Sequence, residues 1–315
     1  MSRLEELVKG AKRVALSGHV RPDGDCVGSC MGLYQYIKAV HPNVQVDVYL
    51  EVVPSSFYMF DVVNEISHEI NEDKMYDLFI ALDCAGVDRL GFSQCLFEKA
   101  KATLCVDHHI SNHGFADDNY IVPEASSTSE LVYNLIDKDA ITTEIAECLY
   151  LGIVHDTGVF QYSCTSPETM EAAAELMRKN IRASEIIDKT YYEKTYVQNL
   201  MLGKALQESS LLLDGKVIFS HIEKETMDAN GVKPSDLEGI VSQLRVTQGV
   251  EVAIFMYELA KQEYKVSLRA SGNVDVSKVA QHFGGGGHVK AAGATMQGVA
   301  EDILAKLTKQ IQTQL

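Results

Sequence analysis

The segment SGHVRPDGDCVGS sets His19, Asp23 and Asp25 within seven residues, directly after an apolar run and before a helical pattern. Carboxylates held close together repel, and in apolar surroundings one of them stays protonated unless an opposite charge compensates. A divalent cation is the strongest such compensation. Each residue alone has a plainer account, with Pro22-Asp23-Gly24 as a turn and Asp25 as the cap of the next helix. Groups at equivalent places weigh against that account, because Asp83 ends the apolar run LFIALDC and Asp107-His108-His109 follow TLCV. Asp156 closes the run LYLGIVHD, where the negative end of a helix dipole disfavours an acid unless a cation is near.

Together His19, Asp23, Asp25, Asp83, His108 and Asp156 offer six oxygen and nitrogen donors. That number exceeds one tetrahedral zinc site and suits two ions whose shells are completed by water. With no thiolate in the set, zinc is disfavoured and Mn²⁺ or Mg²⁺ remains, and the imidazoles tilt the choice toward Mn²⁺. Spacing alone leaves His108 and His109 interchangeable.

Positioning these groups requires strands that end together. The first half alternates β-rich runs (RVALSGH, VQVDVYL, LFIALDC, TLCVDHH) with helical stretches over residues 25–40, 129–136 and 143–154. This pattern predicts an α/β fold with a parallel sheet, whose carboxyl edge is where ligands bind. Ser166 and Pro167 are the N-cap and first residue of a helix through Met177. Another helical pattern covers residues 196–211, which puts the domain junction between 185 and 200. We therefore divide the chain into a metal-binding domain over 1–190, a helical linker over 191–211 and a smaller α+β domain over 212–315. In the last, EVAIFMYEL and YKVSLRAS form a hairpin around Ala260-Lys261-Gln262, helices cover residues 235–246 and VSKVAQHF, and a final helix starts at Val299.

At 315 residues with a net charge of −16, the chain is a poor match for gripping long duplex nucleic acid, though a short anionic substrate remains compatible. No run approaches the roughly 20 apolar residues of a membrane span, and the first residues lack the apolar middle of a signal peptide. Seven cysteines without a CxxC pair suit buried thiols in a reducing compartment, so the expected location is cytoplasmic.

GHVRPDGDCVGS, ALDCAGVDRLG, VDHHISN, LYLGIVHDTGVF and GGGGHVKAAGA resemble, in order, the motifs of the DHH phosphoesterases with their associated C-terminal domain. Size and motif order are most similar to the branch that hydrolyses very short RNA and 3'-phosphoadenosine 5'-phosphate (pAp). The resemblance implies one ion on His19, Asp23 and Asp83 and another on Asp25, Asp83, His108 and Asp156. Asp83 would bridge them, and Asp107 would orient a ligand imidazole. It further implies catalysis through Asp83, His108 and His109, with His109 facing the substrate phosphate. Gly285, Gly286, Gly287 and His288, with Arg269, would hold a terminal phosphate. The implied reaction releases 5' mononucleotides from short oligonucleotides such as pApA, or from linear dinucleotides, and AMP from pAp, in a homodimer. A manganese inorganic pyrophosphatase shares the N-terminal motifs but not GGGGH. A RecJ-like single-strand exonuclease would be longer, and a nucleotide-binding protein without activity would have lost a ligand. Ser126, Ser127 and Thr128 either line the cleft or cap a helix.

Overall fold

The apolar runs form the centre of a parallel six-stranded sheet: β1 (Arg13–Ser17), β2 (Gln45–Tyr49), β3 (Ile66–Ser67), β4 (Leu78–Leu82), β5 (Thr103–Asp107) and β6 (Asp118–Ile121). The computed structural model describes residues 2–71 and 73–315, and the chain divides into units Met1–Glu193 and Lys194–Leu315. The strand order is β3-β2-β1-β4-β5-β6, so the winding direction reverses between β1 and β4. In sheets of this kind the crevice at that reversal, outside the carboxyl ends of the strands, is the ligand site. β4 and β5 are buried along their whole length, as a sheet covered on both faces demands.

The helix Gly24–Val40 packs on Thr143–Asp156 with almost no room between backbones. A Cβ on Gly28 would stand 2.4 Å from the Cys148 carbonyl, and one on Gly152 would stand 2.5 Å from Asp25 Oδ1. These two glycines let the helices approach until Asp25 and Asp156 face one crevice. The helix Pro167–Met177 begins as expected, with Ser166 as N-cap in a capping box.

The second unit holds a mostly antiparallel sheet in the order β11-β12-β10-β9-β8-β7. Its strands are β7 (Ser210–Leu212), β8 (Val217–Ile222), β9 (Val252–Ala260), β10 (Glu263–Ala270), β11 (Gly286–His288) and β12 (Ala291–Gln297). β9 and β10 form the hairpin, with Gln262 at φ 60 in its turn. Two expectations shift. The helix from Tyr196 stops at Gln207, because residues 210–212 pair with β8 instead of continuing it. The helix expected over 235–246 is a 3₁₀ turn, Pro234–Leu237, and a helix, Ile240–Arg245, separated by Gly239 at φ 85. Among the described residues no helix is long and apolar enough to cross a membrane, and all seven cysteines are free thiols.

Candidate metal centre

Five of the six candidate ligands hang from the ends of β1, β4 and β5 or from the start of the helix that follows β1. Asp23 is the N-cap of that helix, accepting from the backbone N–H groups of Asp25 and Cys26, both at 3.1 Å. Asp25 is therefore not the cap. It lies inside the first turn, completely buried, and its oxygens accept the backbone N–H groups of Thr128 (2.6 Å) and Ser129 (2.9 Å). Asp83 follows β4 at φ 54, a left-handed conformation that is uncommon outside glycine and that turns its side chain into the crevice. Asp156, the sixth ligand, ends the helix Thr143–Asp156 and reaches the same place.

Asp83 is the hub. Its Oδ2 lies 3.4 Å from His19 Nε2, and its Oδ1 lies 3.6 Å from His108 Nε2 and 3.7 Å from His109 Nδ1. His108 Nε2 also meets Asp156 Oδ2 at 3.0 Å, and His19 Nε2 stands 3.6 Å from Asp23 Oδ1. Both imidazoles turn Nδ1 toward a backbone carbonyl, His19 to Val20 at 2.9 Å and His108 to Ala125 at 3.3 Å. A carbonyl only accepts, so Nδ1 carries a proton and Nε2 is the nitrogen turned to the cluster, the orientation that metal-binding histidines use.

Among the described residues, three overlapping groups have donor atoms within 4.8 Å of one another: His19, Cys26 and Asp83; Asp83, His108 and His109; and Asp25, His108 and Asp156. Charge balance points the same way. Burial, then repulsion from Asp83, pushes Asp25 up to about 7, and burial followed by Asp25 pushes Asp156 up to about 7. Burial opposes charging His108, but hydrogen bonding to Asp156 and the surrounding carboxylates outweigh it and lift the ring to about 10. Burial and mutual repulsion make these carboxylates resist ionising, a conflict that divalent cations would relieve. The donor set thus fits metal.

Asp107 is fully buried and accepts from His109 Nδ1 at 2.7 Å and from Asn112 Nδ2 at 2.7 Å. The ring it orients is His109, not His108. Thr128 Oγ1 donates to Asp83 at 3.3 Å, whereas Ser127 caps the helix Thr128–Leu135 and Ser126 donates to Glu130. Cys26, Asn112 and Thr128 contact this cluster, and of these only Thr128 is a candidate from sequence. Cys26 sits one residue after Asp25, but its position beside His19 depends on Gly18, where a Cβ would stand 2.3 Å from Cys26 Sγ.

In the second unit, Arg269 and His288 flank the same residue, since β10 pairs Arg269 with Ala291 and β11 pairs His288 with Ala291. Directly opposed residues point to one face of a sheet, so the two share a row. Gly287 at φ 139 pairs with Ala292, and a side chain there would meet the Ala291 carbonyl at 2.5 Å. Gly285, Gly286 and Gly287 thus form a tight backbone edge, with Arg269 half-buried and His288 exposed.

A doubly wound sheet carrying a carboxylate and imidazole cluster at its reversal has the donor set of a metal-dependent enzyme, and comparison with known proteins names the group. The description "DHH family, N-terminal domain" matches residues 13–153, and "DHHA1 domain" matches 214–313. The chain is 30% identical over 312 residues to the bifunctional oligoribonuclease and PAP phosphatase NrnA of Thermus thermophilus, covering 96% of this chain and 90% of the relative. It is 29% identical to the protein of the same name from Bacillus subtilis, covering 93% of each. The crystal structure of an exopolyphosphatase-related protein from Bacteroides fragilis superposes with a TM-score of 0.90 at 25% identity, covering 98% of this chain and 94% of that one. The chain belongs to the DHH family of phosphoesterases.

Proposed function

We propose that this protein hydrolyses very short RNA oligonucleotides such as pApA, and other linear dinucleotides, to 5' mononucleotides and converts pAp to AMP, using two Mn²⁺ ions. The observation that carries this reading is Asp83, one buried carboxylate within 3.4 to 3.7 Å of three imidazoles. His19, Asp23 and Asp83 would hold one ion, and Asp25, Asp83, His108 and Asp156 the other. Such a pair, when bound, acidifies water and offsets charge on phosphoryl oxygens.

The chain's own groups supply the rest. Asp107, fixed by Asn112, holds His109 with Nδ1 protonated and supports positive charge on the ring. The Asp107 hydrogen bond raises His109, outweighing the burial that opposes its charge. His109 is thereby suited to donating from Nε2 to a phosphoryl oxygen or a leaving oxygen. Arg269, His288 and the edge Gly285 to Gly287 would bind a terminal phosphate through side-chain and backbone N–H groups. The relatives' names and the GGGGH loop support this over a pyrophosphatase.

The test is turnover of pApA, a twenty-nucleotide RNA, pAp and pyrophosphate by one preparation, metal-free and reloaded with Mn²⁺. The reading expects pApA and pAp to be consumed fastest. Faster hydrolysis of pyrophosphate, or rates climbing with RNA length, would overturn it. The resemblance also implies a homodimer, which sedimentation velocity checks, and a cytoplasmic location, which fractionation checks.

A further inference from the structure

An aromatic patch that reaches the start of the helix Gly24–Val40 through His155 has no part in the chemistry above. Tyr191 stands edge-on to Tyr192 with ring centroids 5.3 Å apart, and its hydroxyl lies 3.3 Å from that of Tyr162. On its other side it meets the His155 ring at 5.6 Å. His155 lies directly on the backbone of Gly24, where a Cβ would stand 2.2 Å from the ring. Gly24 separates Asp23 from Asp25, and His155 precedes Asp156. The His155 ring therefore lies between Tyr191 and Gly24, the residue that joins the candidate ligands Asp23 and Asp25.

The segments that carry these rings have uncommon backbones. Gly158, Val159 and Phe160 lie consecutively at φ 57, 57 and 64, and a β-branched residue there is a true outlier. The strained turn brings Tyr162 back over Gly158, whose Cβ, if present, would stand 2.4 Å from the tyrosine Cζ. Asp188–Tyr192 form a π-helical turn, a rare form enriched at functional sites. Strain maintained by the surrounding fold has the same association with binding. What these distortions achieve is the display of Tyr162 and Tyr192, which remain 49% and 51% exposed while their neighbours fix their orientation.

We propose that Tyr162 and Tyr192 form a platform on which a nucleobase of the substrate stacks, with Tyr191 and His155 positioning it against the carboxylates. This deepens the nucleotide-hydrolase reading and rests on it. Every base has a π-face, so aromatic stacking binds nucleotides with little regard to sequence. It also suits a chain of net charge −16, which gains little from long-range attraction to phosphates. A phosphate anhydride without a base gains nothing from the platform, so the tyrosines separate nucleotides from pyrophosphate.

The test uses full-length, metal-loaded enzyme and the variants Tyr162→Ala, Tyr192→Ala, their combination, and the two Tyr→Phe changes. kcat and KM are measured on pAp and on its abasic counterpart, 1-deoxyribose 3',5'-bisphosphate. The double alanine variant should raise KM for pAp roughly 10- to 100-fold with kcat much less affected, and the phenylalanine variants should retain most of the binding. Wild type should prefer pAp to the abasic compound, and the double variant should lose that preference. An equal loss on both substrates, or unchanged KM values, would overturn the platform. If wild type hydrolyses pyrophosphate but neither pAp nor pApA, the nucleotide-hydrolase reading fails. Equilibrium dialysis of AMP against wild type and the double variant then decides the platform by itself, with weaker binding by the variant supporting it and equal binding overturning it.

Discussion

The two units hold their polar groups under opposite conditions. In the first, Asp25, Asp83 and Asp107 are at most 2% exposed, and each is met by backbone N–H groups or imidazoles fixed by the sheet. In the second, His288 and the glycine edge lie at the surface and Arg269 is half-buried. Buried charges interact strongly and tolerate no missing partner, whereas exposed ones contribute modest, separable increments. The first unit should therefore fail as a whole when one group is lost, and the second should degrade by degrees.

The largest expected effect comes from removing metal. Exhaustive chelation should abolish hydrolysis, and Mn²⁺ should restore it better than Ca²⁺, whose larger oxygen shell suits a compact mixed site poorly. Full activity in protein shown to be metal-free by elemental analysis would end the two-ion account. Next, Asp83→Ala should lower kcat by at least about 100-fold, because it leaves three imidazoles and the remaining carboxylates without their shared partner. Circular dichroism should show an intact fold, and retention of a tenth of wild-type kcat would remove Asp83 from that role.

His288→Ala belongs to the graded side of the comparison. A hydrogen bond to a charged group contributes about 1.5 to 3 kcal/mol, so kcat/KM on pApA should fall roughly 10- to 100-fold while an activated phosphodiester without a terminal phosphate is cleaved as before. Equal losses on both compounds would blur the distinction between the units. The smallest change in chemistry is Gly152→Ala. Its methyl would fall 1.9 Å from Ser129 Oγ and 2.5 Å from Asp25 Oδ1, so overpacking should cost about 1 to 3 kcal/mol of stability. A melting temperature equal to wild type would mean that the helices separate more readily than their packing implies.

Local signals made the first unit legible. An apolar run that delivers an acid at its end is visible in LFIALDC and TLCVDHH, and the misplaced acid of LYLGIVHD stands out against the helix dipole. What escaped depends on contacts distant in sequence. Nothing around Asp25 announces Thr128 and Ser129 as its partners, and the pairing of Asp107 with His109 instead of His108 follows from how the loop after β5 turns. Cys26 went unseen because only the absence of a side chain at Gly18 admits its sulfur beside His19. In the second unit the strand YKVSLRAS was readable, yet its alignment with the glycine run across Ala291 is a matter of register that periodicity does not encode. The overextended helix after Tyr196 has the same cause, since pairing with β8 outweighed the continuing helical pattern.

The two amide hydrogens held by Asp25 would serve as a built-in gauge of the proposed metal centre. Thr128 and Ser129 stand at the start of a helix more than a hundred residues further along the chain, yet their protons rest on the same carboxylate that an ion would draw upon. Electron density pulled toward a cation weakens an acceptor, so loading should be felt at these amides as faster exchange with solvent deuterium or a displaced nitrogen resonance, with no substrate present. The occupancy of the crevice can in this way be read from the backbone of a distant segment.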